Sequence, residues 1–240
     1  MVRRTSRCAA ALVGGIIVVC FSNRAVSAQG WLSGPGASSL VSASILSVSD
    51  DGTEVGAEVA YSHNGSVDAG FGIAQAWLDE SDLKGIGFGP QLTLYPVQYT
   101  DELPLITDMW ASYTRLWYSG DVLDDPNVDL RGNQWSFGGS LRGVIRSEDM
   151  RLIPSIGVTH SRSRLTLKAF RQSETSDNNL TSLDAGFTLA FGTEAAAFHI
   201  GPGISVTEEG TTFSVSTGVS IPTQRDRRRH ATERGSVVIP

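Results

Sequence analysis

Two features constrain this chain most. From Ser39 to Ile221 it alternates apolar and polar residues in segments about ten residues long, and beyond residue 28 it holds no apolar run of the ~20 residues that a membrane-crossing helix requires. A period of two belongs to strands that present one face to an apolar medium and the other to a polar one. In Glu54 to Ser62, Val55, Ala57, Val59 and Tyr61 share one face, and Glu54, Gly56, Glu58, Ala60 and Ser62 share the other. After His63-Asn64-Gly65, an Asn-Gly signal for a tight hairpin, the pattern resumes with Val67, Ala69, Phe71, Ile73 and Trp77. It returns in Ile86, Phe88, Leu92 and Leu94, in Trp135, Phe137, Leu141 and Ile145, and in three closing segments that begin at Leu183, Phe198 and Phe213. The spacing predicts ten strands, over 39–48, 53–62, 66–77, 84–97, 104–118, 133–146, 151–162, 181–192, 196–207 and 211–221. The fold class is therefore all-β.

Periodicity alone leaves a soluble sandwich and a membrane barrel both open. If the chain enters a membrane it does so as a closed antiparallel barrel, because only closure satisfies every backbone N–H and C=O in lipid. Ten strands are expected, with eight as the alternative count. The two long connections, 119–132 and 163–180, are both odd in order and so fall on one side of an up-and-down barrel, as external loops do when both termini lie in the periplasm. That orientation puts Trp77, Trp117, Trp135 and Phe213 near one membrane interface and Tyr61, Tyr99, Phe191 and Phe198 near the other, making two aromatic girdles. Pro90, Pro154 and Pro202 fall inside predicted strands, where the missing N–H leads us to expect bulges. A barrel of this size is largely filled by its own side chains, so a wide water-filled channel is not expected.

Residues 1–28 read as a secretory signal: Arg3, Arg4 and Arg7, an apolar stretch from Ala9 to Phe21, and Val26-Ser27-Ala28 before Gln29. An uncleaved inner-membrane helix, or a lipid-attached terminus at Cys20, are the alternatives. Both cysteines, Cys8 and Cys20, lie in this segment, so the remainder has no thiol chemistry. Four of the 19 Lys and Arg lie there too and none of the 25 Asp and Glu, which leaves a mature chain of about minus ten charge, a poor match for nucleic acid. A short lead, 29–38, precedes the barrel at 39–222. The tail 223–240 carries Arg225, Arg227, Arg228, Arg229 and Arg234 and is expected to be a disordered, basic periplasmic segment.

Through the dyad pattern, the girdles and the turn lengths, residues 39–221 resemble small bacterial outer-membrane β-barrel proteins as a class, and Gly87-Phe88-Gly89-Pro90-Gln91-Leu92-Thr93-Leu94-Tyr95-Pro96 is similar to segments of such barrels. The chain departs from the class in its ending: many members close on an aromatic residue, whereas here a tail follows Ile221. The resemblance implies a bacterial outer-membrane location with lipid as the surrounding partner, and no cofactor.

Several groups invite a functional reading. Glu58, Asp68, Arg142, Arg146, Arg151, Asp184 and His199 fall on the inward face, and buried charges persist when paired or wetted. Asp68, Arg142, Arg146 and Arg151 are expected to form a salt-bridge cluster that plugs the lumen, with a polar conduction path as the alternative. Asp121, Asp124, Asp125 and Asp129 crowd one long loop, but their spacing matches no ion-binding loop, so a solvated acidic loop and no metal is expected. His160, beside Ser161 and Ser163, would be the base of a lipid-modifying enzyme, but no acid is adjacent to orient it. The function expected is a non-enzymatic barrel with a structural or surface-interaction role, or a narrow solute pore, whose loops 119–132 and 163–180 meet a surface ligand. A lipid-modifying enzyme and a soluble exported barrel or sandwich that binds a small ligand are the alternatives.

Overall fold

A computed structural model describes residues 32, 37–78, 83–100, 102–120, 123, 128–147, 150–169, 172–193 and 196–223. The expected signal at 1–28, most of the lead, three of the four loop aspartates and the tail from 224 lie outside them. Eleven strands form: β1 (Ser39–Ser49), β2 (Gly52–His63), β3 (Val67–Leu78), β4 (Lys84–Val97), β5 (Leu105–Ser119), β6 (Val128–Gly143), β7 (Ile145–Ser147), β8 (Met150–Ala169), β9 (Gln172–Thr193), β10 (Ala196–Val206) and β11 (Thr211–Pro222). β7 prolongs β6 past a one-residue break at Val144 and keeps the same register against β8, so the wall has ten staves. Each stave pairs antiparallel with its neighbours in sequence, and β1 pairs with β11 from Ser39↔Pro222 to Ser49↔Thr212, which closes the barrel.

Closure follows from the alternation. Odd residues of β1 and even residues of β2 are buried, while Leu40, Leu46, Val55, Val59 and Tyr61 stand exposed on the outer wall. Followed once around, the pairings climb by about 12 residues, which for ten strands tilts them by about 40° from the axis. In the three-residue connection between His63 and Val67, Asn64 and Gly65 both have positive φ, 53° and 64°, and Ser66 N donates to the His63 carbonyl at 3.0 Å, the turn geometry that suits right-twisted strands.

Two expectations need correction. Pro90, Pro154 and Pro202 cause no bulge: each leaves a short gap in the ladder on one side, but the register before and after the gap is unchanged. The shift lies between Leu94 and Val97, a stretch that contains Pro96. Secondly, 163–180 is not a loop. β8 and β9 stay paired to Ala169↔Gln172, and the fifth connection shrinks to 120–127 because β6 begins at Val128. Leu130, Leu165 and Leu167 point inward and are buried, while Asp129, Arg131, Arg162, Arg164 and Lys168 point outward. This half-polar alternation supports a ladder although it is too weakly apolar to announce one. Connection lengths therefore distinguish the two ends less than expected; the overhang of β6, β8 and β9 beyond β10 and β11 distinguishes them instead.

Candidate functional site in the barrel interior

Inward side chains fill the barrel in layers. At the end that carries Ser39 and Pro222, Leu32 of the lead enters the mouth and packs with Tyr95, Ile106, Val144, Ile153 and Ala190, flanked by Tyr99 and Ala197. Arg151 stands at this mouth and donates from Nη1 to the Leu32 carbonyl at 3.3 Å. Toward the far end, Ala74, Ala76, Leu116 and Leu165 form a second apolar cluster with Tyr118 against it. Between them polar groups share the interior with the small apolar pairs Ala43–Ile45 and Val41–Ala60.

The strongest polar contact is between Arg142 and Asp108, with Nε 2.6 Å from Oδ2; Ser140 Oγ donates to the same carboxylate oxygen at 2.7 Å. Asp68, fully buried, accepts from the Tyr95 hydroxyl at 2.8 Å. Asp184 accepts from the hydroxyls of Ser205 at 2.5 Å, Thr159 at 2.7 Å and Ser182 at 3.1 Å. Ser136 links Gln134 and Ser161 by bonds of 3.1 and 2.8 Å. A cavity of about 130 Å³ lies beside Asp108, Arg142, Asp184, Thr188, His199 and Ser216, and a smaller one of about 40 Å³ beside Glu54, Glu58, Gln91 and Ser112. Spaces of this size and polarity suit a few ordered waters. Both His199 ring nitrogens and Glu58 Oε1 are buried without a protein partner among the described residues, which makes them the groups such waters would satisfy.

The expected lumen charges divide. Glu58, Asp68 and His199 are buried in the interior, and Asp184 and Arg142 are partly so. Of the four residues expected to form one cluster, Asp68 takes the Tyr95 hydroxyl and Arg142 takes Asp108, while Arg146 and Arg151 stand opposite each other across β7 and β8. Arg146 is exposed at the rim, its guanidinium 4.5 Å above the Tyr99 ring. Asp108 and Tyr95 complete the network and were missed; in β5 the even residues Ile106, Asp108, Ser112 and Thr114 are all buried, a signal the alternation carries.

On the outer wall Tyr61, Trp77, Trp135, Phe191, Phe198 and Phe213 are exposed. Trp117 is half-buried and stacks on Phe88 at 4.6 Å between ring centroids. Tyr99 does not stand on the outer wall but packs against the apolar mouth cluster. His160 also faces outward, with Nδ1 2.9 Å from Thr181 Oγ1 and its ring 5.0 Å from Phe137. Ser161 and Ser163 are buried on the opposite face, so the pleat keeps either hydroxyl from pairing with His160 through the wall. Asp129, the one loop aspartate among the described residues, pairs with Arg131 at 2.8 Å.

No protein-family profile matches the chain, and no curated protein matches it in sequence. Solved structures do resemble it in shape. The translocator domain of the autotransporter NalP from Neisseria meningitidis covers 78% of this chain and 88% of its own at 10% identity, with a TM-score of 0.51. The attachment invasion locus protein Ail of Yersinia pestis covers 79% of this chain and 99% of its own at 16% identity, TM-score 0.40. The outer membrane protease OmpT from Escherichia coli covers 78% and 94% at 10% identity, TM-score 0.39. Likeness at these identities is one of architecture, and with the closed up-and-down wall and its apolar exterior it gives the conclusion: this chain has the fold of the bacterial outer-membrane β-barrels.

Proposed function

We propose that the protein resides in a bacterial outer membrane as a non-conducting, non-enzymatic barrel that carries a protruding sheet at the cell surface. The observation that supports this reading is the filled interior: an apolar layer closes the end with the termini, a second lies toward the far end, and the cavities between them are small. A continuous water column is what a pore requires, and the Leu32–Tyr95–Ile106–Ile153 layer interrupts it. The location rests on the exterior, where Val59, Phe71, Ile73, Phe137, Ile156 and Phe187 stand exposed in an apolar belt that is unfavourable in water. Termini in the periplasm then put the β6, β8 and β9 overhang outside the cell. These strands, not loops, would form the recognition surface.

The reading is tested by cell fractionation with a heat-modifiability gel, followed by reconstitution into planar bilayers. Recovery with the outer membrane, a mobility change on boiling and electrically silent bilayers are expected. Stable unitary currents would replace the plug with a pore, and recovery of the folded protein in the aqueous fraction would remove the membrane reading.

A further inference from the structure

The basic residues of the outer wall are gathered on one side of it. Among the described strand residues, every outward-facing Lys or Arg lies on β4, β5, β6 or β8: Lys84, Arg115, Arg131, Arg162, Arg164 and Lys168. None lies on β1, β2, β3, β9, β10 or β11. The register draws them together. Arg115, Asn133 and Arg164 occupy one row, since Asn133 is paired with Arg115 on one side and with Arg164 on the other. Arg131 stands two residues from Asn133 on the same face, opposite Trp117, and Arg162 is opposite Trp135. Direct cross-strand partners lie about 5 Å apart and diagonal ones about 7–8 Å, so Arg115, Arg131 and Arg164 ring Asn133 within reach of one anion.

Their height is set by their neighbours. Arg115 is paired with Phe88 and its guanidinium lies 5.7 Å from the Trp117 ring, so the cluster begins where the apolar belt ends and the interfacial tryptophans stand. Two carboxylates oppose the four arginines: Asp129 on Arg131, and Asp177 on Arg164 and Arg162. All these side chains are more than a third exposed, and such pairs yield readily to a better anion. Arg115 has no carboxylate among the described residues. Arginine forks match phosphate oxygens two at a time, and a phosphate at this height beside an apolar wall belongs to a lipid whose chains lie along that wall.

We propose that Arg115, Arg131 and Arg164, with Asn133 between them and Arg162 beside them, bind the phosphorylated headgroup of an outer-leaflet glycolipid of the lipid A type, whose acyl chains pack along Phe88 and Trp117. This rests on the outer-membrane orientation proposed above. The test uses the full chain folded into phosphatidylcholine vesicles with and without bis-phosphorylated lipid A, and counts lipid A retained after detergent extraction by native mass spectrometry. Wild type is expected to retain lipid A, and the Arg115→Gln/Arg131→Gln/Arg164→Gln variant to lose at least ten-fold of it. Arg146→Gln, at the opposite rim, is expected to match wild type, and Asp177→Asn to retain as much or more, although it breaks the same ion pair. A folded triple variant that retains lipid A as wild type does, or wild-type retention equalled by dephosphorylated lipid, overturns the proposal and leaves the barrel reading intact. Displacement of the lipid by millimolar inorganic phosphate would assign the site to a free anion and also overturns it. Failure of wild type to enter either vesicle overturns both readings.

Discussion

Arg142 Nε lies 2.6 Å from Asp108 Oδ2 in the barrel interior, and the two partners come from adjacent staves, β6 and β5. Each charge is held by the other and by Ser140, so removal of one partner leaves a buried ion without compensation. Asp108→Asn is expected to lower stability by about 3 kcal/mol, and Asp108→Leu with Arg142→Met to cost much less, because the double change removes both charges. Urea unfolding in detergent, followed by the heat-modifiable gel band, measures both; equal losses would show that the pair is solvated rather than buried.

Gly218 faces His199 so closely that a methyl group there would come 2.4 Å from the ring Cε1 and 2.6 Å from the Ser42 carbonyl oxygen. Gly218→Ala is therefore expected to cost about 1–3 kcal/mol through overpacking. His199→Ala clears the ring but not the Ser42 carbonyl, so the double variant should recover part of the loss. The coupling energy from a double-mutant cycle checks this, and strict additivity would contradict the contact.

Ile73 is 55% exposed on the outer wall, well inside the apolar belt. If lipid covers that wall, Ile73→Lys should cost about 2–4 kcal/mol of folding into vesicles, whereas Trp77→Lys, nearer the rim, should cost about 1 kcal/mol or less. In a water-soluble barrel the first substitution would be neutral. Folding yields into vesicles across a urea series separate the two cases.

Beyond the belt, Asp177 accepts from Arg164 at 2.6 and 2.9 Å, and these hydrogen bonds hold its carboxyl below the ordinary carboxylate range while the arginine is raised in turn. A carboxyl whose pKa is depressed on folding contributes stability above its unfolded value and loses it as pH falls through the folded one. The β8–β9 overhang is accordingly expected to loosen below about pH 4, and earlier in high salt, which screens an exposed pair. Faster amide exchange at 165–177 in acid, absent from Asp177→Asn, is the expected signature. An identical acid response in that variant would assign the effect elsewhere.

The sequence by itself determined where the alternating segments lie, their inward and outward faces and the Asn64-Gly65 turn, because a period of two is a property of neighbouring residues along one strand; the count of ten over eight and the closed order of the staves were decided by the tertiary structure. Glu58, Asp68 and His199 were legible as interior groups for the same reason. What the periodicity could not carry is anything that depends on how staves are staggered. The partners of Asp68, Arg142 and Arg151, the exposure of Arg146, the packing of Tyr99 into the mouth and the position of Leu32 all follow from closure at one particular register and tilt. The overhang of β8 and β9 escaped for a related reason: it is held by backbone pairing down to Ala169↔Gln172, which leaves little apolar periodicity behind. The basic ring around Asn133 is likewise invisible along the chain. Its arginines lie up to 49 residues apart in sequence, from Arg115 to Arg164, and only the hydrogen-bonded register of three adjacent staves makes them neighbours.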